Sequence, residues 1–63
     1  MTKQTPYMRH FPEVETAERA ARIKNKAQRG GAVFVVVDGP DEGATVMDLM
    51  SAVAGEFMYR WEA

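Results

Sequence analysis

The stretch AVFVVV, residues 32–37, is an unbroken apolar run rich in β-branched side chains, in a chain of 63 residues. A run of this length is short for a helix, and β-branched residues favour extended backbone. An apolar run without polar alternation is typical of a strand that is covered on both faces. The run therefore predicts a central β-strand over residues 32–38.

The segment that precedes this run, residues 13–29, predicts a long helix. It contains neither glycine nor proline, is rich in Ala, Glu, Lys and Arg, and ends at a glycine pair. Its acids lie at the start and its bases toward the end, which suits the helix dipole. Ala20, Ile23 and Ala27 follow helical spacing and, with Ala17 alongside, form a narrow apolar stripe. We therefore expect this helix to lie close against a flat surface such as a sheet.

The segment that follows the run begins with turn-forming residues, DGPDEG, over 38–43. This loop has hairpin length, so we expect a second strand over residues 44–48. A short helical turn over residues 49–54, capped by Asp48, is predicted next. The alternative is one helix through residues 44–54, because the apolar residues there also fit helical spacing.

The end of the chain, residues 56–62, alternates and predicts a third strand. Phe57, Tyr59 and Trp61 would share one face, which we expect the long helix to cover. Met58 and Arg60 would then lie on the opposite face. Together with an irregular arm over residues 1–12, these elements predict a single small α+β domain. Its long N-terminal helix packs on a three-stranded antiparallel sheet, and a short helical turn comes before the last strand.

Charge divides the chain into two parts. Residues 1–29 hold seven of the eight Lys and Arg but three of the nine acids, whereas residues 30–63 hold Arg60 as their only base. This asymmetry predicts a basic and an acidic surface that could steer a partner. The candidate partner-binding residues are Arg19, Arg22, Lys26 and Arg29 on the helix, the acids Asp38, Asp41, Glu42, Asp48 and Glu56, and Met58 and Arg60 on the last strand.

Composition argues against most catalytic chemistry. The chain has no cysteine, His10 is its only histidine and Ser51 its only serine. A nucleophile with an oriented base, and a thiolate or multi-histidine metal site, are therefore not expected. No glycine motif matches a phosphate-binding loop. We predict no catalytic residue, no cofactor and no metal, and neither a membrane span nor a signal peptide, which suggests a cytoplasmic protein.

In overall plan the chain resembles the small phage-encoded inhibitors known as anti-CRISPR proteins. The resemblance rests on the single-domain length, the helix that ends in AQRGG, the strand AVFVVV with its turn DGPDEG, and the closing strand FMYRWEA. It implies a non-enzymatic protein that acts in the host cytoplasm by occlusion, binding a CRISPR effector subunit or a similar nucleic-acid-handling complex.

Two alternatives to the inhibitor stay open. One is a small regulator that binds nucleic acid through the basic face of the helix. The other is a structural or assembly subunit whose sheet edge pairs with another copy. Either a monomer or a homodimer is compatible with the sequence.

Overall fold

The computed structural model describes residues 6–27, 33–39 and 42–62. Its elements, in chain order, are β1 (Met8–Phe11), α1 (Val14–Ala27), β2 (Phe34–Asp38), β3 (Ala44–Asp48), α2 (Leu49–Ala54) and β4 (Tyr59–Trp61). The strands form one antiparallel sheet in the order β1-β3-β2-β4. The prediction of a long helix on an antiparallel sheet is confirmed, but the sheet has four strands and not three.

The additional strand is β1, which lies in the segment that the sequence predicted to be an irregular arm. Met8 pairs opposite Met47 and Phe11 opposite Ala44, so β1 extends the sheet beyond β3. Pro6 and Pro12 flank the strand. Proline cannot donate to a sheet ladder, so this pair confines β1 to a short strand at the edge.

The two inner strands, β2 and β3, form the centre of the molecule. Phe34, Val35, Val36 and Val37 are all buried, as expected for a strand covered on both faces. The second strand and the helical turn occupy the predicted positions, because β3 ends at Asp48 and α2 begins at Leu49. The predicted hairpin tip and the predicted end of the long helix include residues 40–41 and 28–29, which lie outside the described residues.

Helix α1 covers one face of the sheet through small side chains. Ala17 and Ala21, one helical turn apart, are completely buried against a cluster that comprises Phe34, Val36, Ala44 and Val46. Alanine brings the helix backbone close to the sheet, as expected. The predicted stripe was wrong in detail, however, since Ile23 is 60% exposed and Ala27 is also exposed. The contact stripe is rotated toward Ala17 and Ala21.

Helix α2 covers the opposite face, but only over the inner strands. Its Ala52 is buried on a cluster formed by Val35, Val37 and Met47. With six residues, this helix is less than half as long as α1. Helix α2 does not extend over the outer strands β1 and β4. No helix within the described residues has the length and apolar character needed to cross a membrane.

The last strand presents the opposite face to the one expected. Arg60 pairs opposite Val36 and therefore lies on the α1 side of the sheet, whereas Tyr59 and Trp61 pair opposite Val37 and Val35 on the α2 side. The prediction that the aromatic residues lie beneath the long helix is wrong. Alternation shows which residues share a face, but the register with β2 decides which helix that face meets.

Candidate protein-binding surface

Three aromatic side chains remain exposed on the α2 side of the molecule. Phe57, Tyr59 and Trp61 are 44%, 46% and 62% accessible to solvent, and we call them the aromatic surface. The Phe57 ring lies against Gly55 at the end of α2, so closely that a Cβ added there would fall 2.4 Å from its Cε2 atom. The aromatic surface therefore runs from the end of α2 along β4.

A tight turn between α2 and β4 positions this surface. The N–H of Glu56 donates to the carbonyl of Val53, and the N–H of Phe57 donates to the carbonyl of Ala52. Glu56 has φ of 56°, in the left-handed region that is uncommon for residues other than glycine. These bonds fix the reversal that returns the chain beside β2. Glu56 itself, a predicted partner-binding residue, is exposed on this turn.

Asn25 of α1 continues the ladder between β2 and β4 where β4 ends. Its Oδ1 accepts from the N–H of Phe34 at 2.8 Å, and its Nδ2 donates to the carbonyls of Phe34 and Glu62 at 3.0 and 2.9 Å. A side-chain amide thus takes the place of one further backbone pair. The sequence reasoning missed this role, since an asparagine within a predicted helix carries no signal of a partner nine residues away.

Arg60 is the centre of an ion-pair network on the α1 side of β4. Its guanidinium bonds both carboxylate oxygens of Asp38, at 3.2 and 3.1 Å, and also bonds Glu18 and Glu62. Donation to the carboxylates of Asp38 and then Glu18, together with their negative charges, raises the pKa of Arg60 despite partial burial. Arg22 of α1 adds a further bond to Glu62 at 3.1 Å.

This network joins the basic and acidic parts of the chain. Arg22 is bonded to the acidic half through Glu62, and the only base of that half, Arg60, is bonded to Glu18 of the basic half. The predicted separation of charge is therefore bridged along α1 and β4. Three of the predicted site residues, Arg22, Asp38 and Arg60, take part in these pairs.

The other predicted site residues are dispersed. Arg19 and Lys26 are exposed on α1, Glu42 is exposed beside β3, and Met58 is 92% exposed before β4. Arg29 and Asp41 lie outside the described residues. Those that lie within the described part of the chain do not share a single surface. Met58 and the aromatic surface are, however, adjacent along the chain.

Asp48 has a different environment from the other predicted acids. It is 6% exposed, and its carboxylate accepts bonds from the N–H of Tyr7, the N–H of Ser51 and the hydroxyl of Ser51. Burial alone would raise the pKa of Asp48, but the bonds from Ser51 and Tyr7 together lower it below 3.8. Asp48 caps α2, as predicted, and ties it to β1, so it does not belong to an exposed acidic surface.

Comparison with known proteins gives no match, either to a family model, to a curated protein or to a solved structure.

Proposed function

We propose that this chain is a non-enzymatic protein-binding module whose partner docks on the aromatic surface. The observation that carries the proposal is the exposure of Tyr59 and Trp61 on the face that α2 leaves uncovered. Tyr and Trp are enriched at protein interfaces, where they supply large contact areas with few rotatable bonds. Exposed apolar side chains that are grouped together mark interaction sites, whereas single exposed apolar residues are common on any protein.

The charges near the aromatic surface favour a basic rim on the partner. Glu56 is exposed at the turn before Phe57. Arg60 does not neutralise Glu56, because its guanidinium bonds Asp38, Glu18 and Glu62 on the α1 side. A partner with an apolar patch bordered by Lys or Arg would complement this arrangement.

A basic rim is a common property of proteins that handle nucleic acids. The proposal therefore extends to an inhibitor that blocks such a host complex by occlusion, in the host cytoplasm. That its target is a CRISPR effector subunit rests on the resemblance in overall plan to anti-CRISPR proteins.

The test is capture of a partner from a host lysate by immobilised protein, compared across matched variants. Trp61→Thr and Tyr59→Thr keep a strand-forming residue while removing the ring, and we expect each to weaken capture about tenfold or more. Ile23→Thr is the control, since Ile23 is 60% exposed but lies on α1. Equal loss in all three variants, or unchanged capture by both strand variants, would refute the proposal.

A second candidate is a nucleic-acid-binding regulator that uses α1. It is favoured by the exposure of Arg19, Arg22 and Lys26, which lie three and four residues apart and so neighbour one another on the helix. Phosphate contacts would make binding fall as salt rises. A gel-shift titration at two salt concentrations tests this function, and the absence of a shift at low salt excludes it.

A further inference from the structure

Within residues 6–27, 33–39 and 42–62, the backbone of β4 is paired on one side only, because β4 stands at the end of the strand order. The direction of its polar groups follows from β2. Phe34 directs both its N–H and its carbonyl to Asn25, on the β4 side, and β-strand residues alternate in direction. Val36 therefore also faces β4 and bonds Arg60, its opposite residue. Tyr59 and Trp61 must direct their N–H and carbonyl groups away from the sheet.

This edge is complementary to itself. Tyr59 and Trp61 direct their backbone groups away from the sheet, and Arg60 between them faces β2. This strand can therefore pair with an antiparallel copy of itself, in which each Tyr59 lies opposite the Trp61 of the other copy. Each of these pairs can exchange two backbone hydrogen bonds, so a two-fold axis through Arg60 satisfies all four outward groups of each strand.

We propose that two copies of this chain associate through their β4 strands in this register, which joins two four-stranded sheets into one. A register centred on Tyr59 would require the N–H of Phe57. That N–H is already donated to the carbonyl of Ala52 at 3.0 Å. The register centred on Arg60 uses only groups that no described residue occupies.

The side chains of β4 suit this pairing on both faces. On the α2 side, each Tyr59 stands beside a Trp61 of the second copy, and aromatic cross-strand pairs stabilise a sheet. On the α1 side, two Arg60 side chains approach one another. Their repulsion is offset because each guanidinium is bonded to Asp38, Glu18 and Glu62.

The opposite edge lacks these properties. The carbonyl of Tyr7 accepts from the N–H of Asp48, so the backbone groups of Tyr7 face β3. Because strand residues alternate in direction, Met8 and His10 direct their N–H and carbonyl groups away from the sheet. Pro6 and Pro12 stand two residues before and after this outward pair. Prolines beside an edge discourage pairing with another chain. Strand β4 has no proline, and its one charged side chain is folded onto α1, so dimerisation is expected there and not at β1.

The proposal does not depend on the proposed function, because it concerns the protein alone. It does have a consequence for that function. Pairing through β4 would bring the aromatic surfaces of two copies together on one side of the joined sheet. A partner would then meet twice the number of exposed rings.

Chemical synthesis of this short chain allows one backbone donor to be removed at a time. N-methylation of Trp61 blocks an outward N–H and retains the side chain, while the bonds of Arg60 to β2 stay intact. We expect sedimentation equilibrium to show a monomer–dimer equilibrium for the unmodified protein. The N-methyl-Trp61 protein should have a dissociation constant raised roughly tenfold, because symmetry removes two hydrogen bonds. N-methylation of His10, outward on β1, is the matched control and should leave dissociation unchanged.

The register is tested by isotope-filtered NMR on a mixture of labelled and unlabelled chains. Contacts between the Tyr59 ring of one chain and the Trp61 ring of the other are expected. A protein that stays monomeric up to about 1 mM, where even weak pairing is populated, overturns the proposal. So does a dimer that N-methyl-His10 disrupts and N-methyl-Trp61 does not. A monomer that still captures a partner through Trp61 would reject the dimer and leave the proposed function in place.

Discussion

The two faces of the sheet share the same inner strands but are closed in different ways. On one face, fourteen-residue α1 packs its alanines over β2 and β3, and the Arg60 network continues this cover across β4. On the other face, six-residue α2 covers the inner strands only, which leaves Met8, Tyr59 and Trp61 exposed. The first face is organised for stability, whereas the second keeps apolar surface available for contacts with another protein.

The largest effects should come from the centre of the α1 face. Val36 is completely buried beneath α1, and Val36→Ala should lower the free energy of unfolding by about 2–3 kcal/mol through lost burial and a residual cavity. A domain below about 70 residues rarely has more than 3–5 kcal/mol in total, so this variant should be close to unfolding at room temperature. Urea denaturation followed by circular dichroism measures the loss.

The same substitution on the α2 face makes the comparison quantitative. Val35 is 1% exposed, but the helix above it is short and can settle into a cavity more readily. We therefore expect Val35→Ala to cost less, about 1–2 kcal/mol. If Val35→Ala proved as costly as Val36→Ala, the two faces would contribute equally to stability and the distinction drawn between them would fail.

An effect of intermediate size is expected where α2 joins the sheet. Asp48→Ala removes the cap of α2 and leaves the N–H groups of Tyr7 and Ser51 without their acceptor, so it should destabilise by about 1–2 kcal/mol. Ser51→Ala removes one donor and retains the carboxylate, and it should cost less. The free energies of unfolding of both variants are measured near neutral pH.

The contribution of Asp48 should depend on pH. Its pKa in the folded protein is below 3.8, the value of an unperturbed carboxyl, so the unfolded chain binds its proton first as pH falls. The stabilisation is fully present above pH 3.8 and is lost as pH falls through the lower pKa of the folded state. The difference in stability between the wild-type protein and Asp48→Ala should therefore shrink on acidification. A difference that grows below pH 3.8 would contradict the lowered pKa.

Local patterns explain why much of the fold was predictable. The segment rich in Ala, Glu, Lys and Arg forms α1, the valine run forms β2, and Asp48 caps α2 as its position between a strand and an apolar turn indicated. Each of these features depends on residues that are close in sequence. The strand after the DGPDEG loop followed from loop length, since short loops join antiparallel neighbours.

The features that were missed depend on distant contacts. Strand β1 lacks apolar alternation, because Met8, Arg9 and His10 are all exposed, and it is ordered by pairing with β3 more than thirty residues away. The only local signal was the pair of prolines that bracket it. The orientation of β4 likewise depends on its register with β2. The surface that we now propose for binding therefore consists of aromatic residues that the sequence analysis predicted to be covered by the long helix, and it lies on the other side of the sheet.

The smallest change in the free energy of unfolding should come from the Arg60 ion pairs, which cover β4 on the α1 side of the sheet. Arg60→Gln leaves Asp38, Glu18 and Glu62 grouped without their cation, but the site is partly exposed and water screens it, so we expect a loss of about 1 kcal/mol. Arg22→Gln is the matched control, since it removes one exposed pair and should cost less than about 0.5 kcal/mol. Urea denaturation of both variants at 0.05 and 1 M sodium chloride, salt levels roughly bracketing weak and strong screening, should show the Arg60→Gln loss shrinking with salt. Equal losses in the two variants, or a loss that salt does not alter, would mean that β4 is held by its backbone pairing with β2 alone. The face beneath α1 would then be as open at β4 as the face beneath α2.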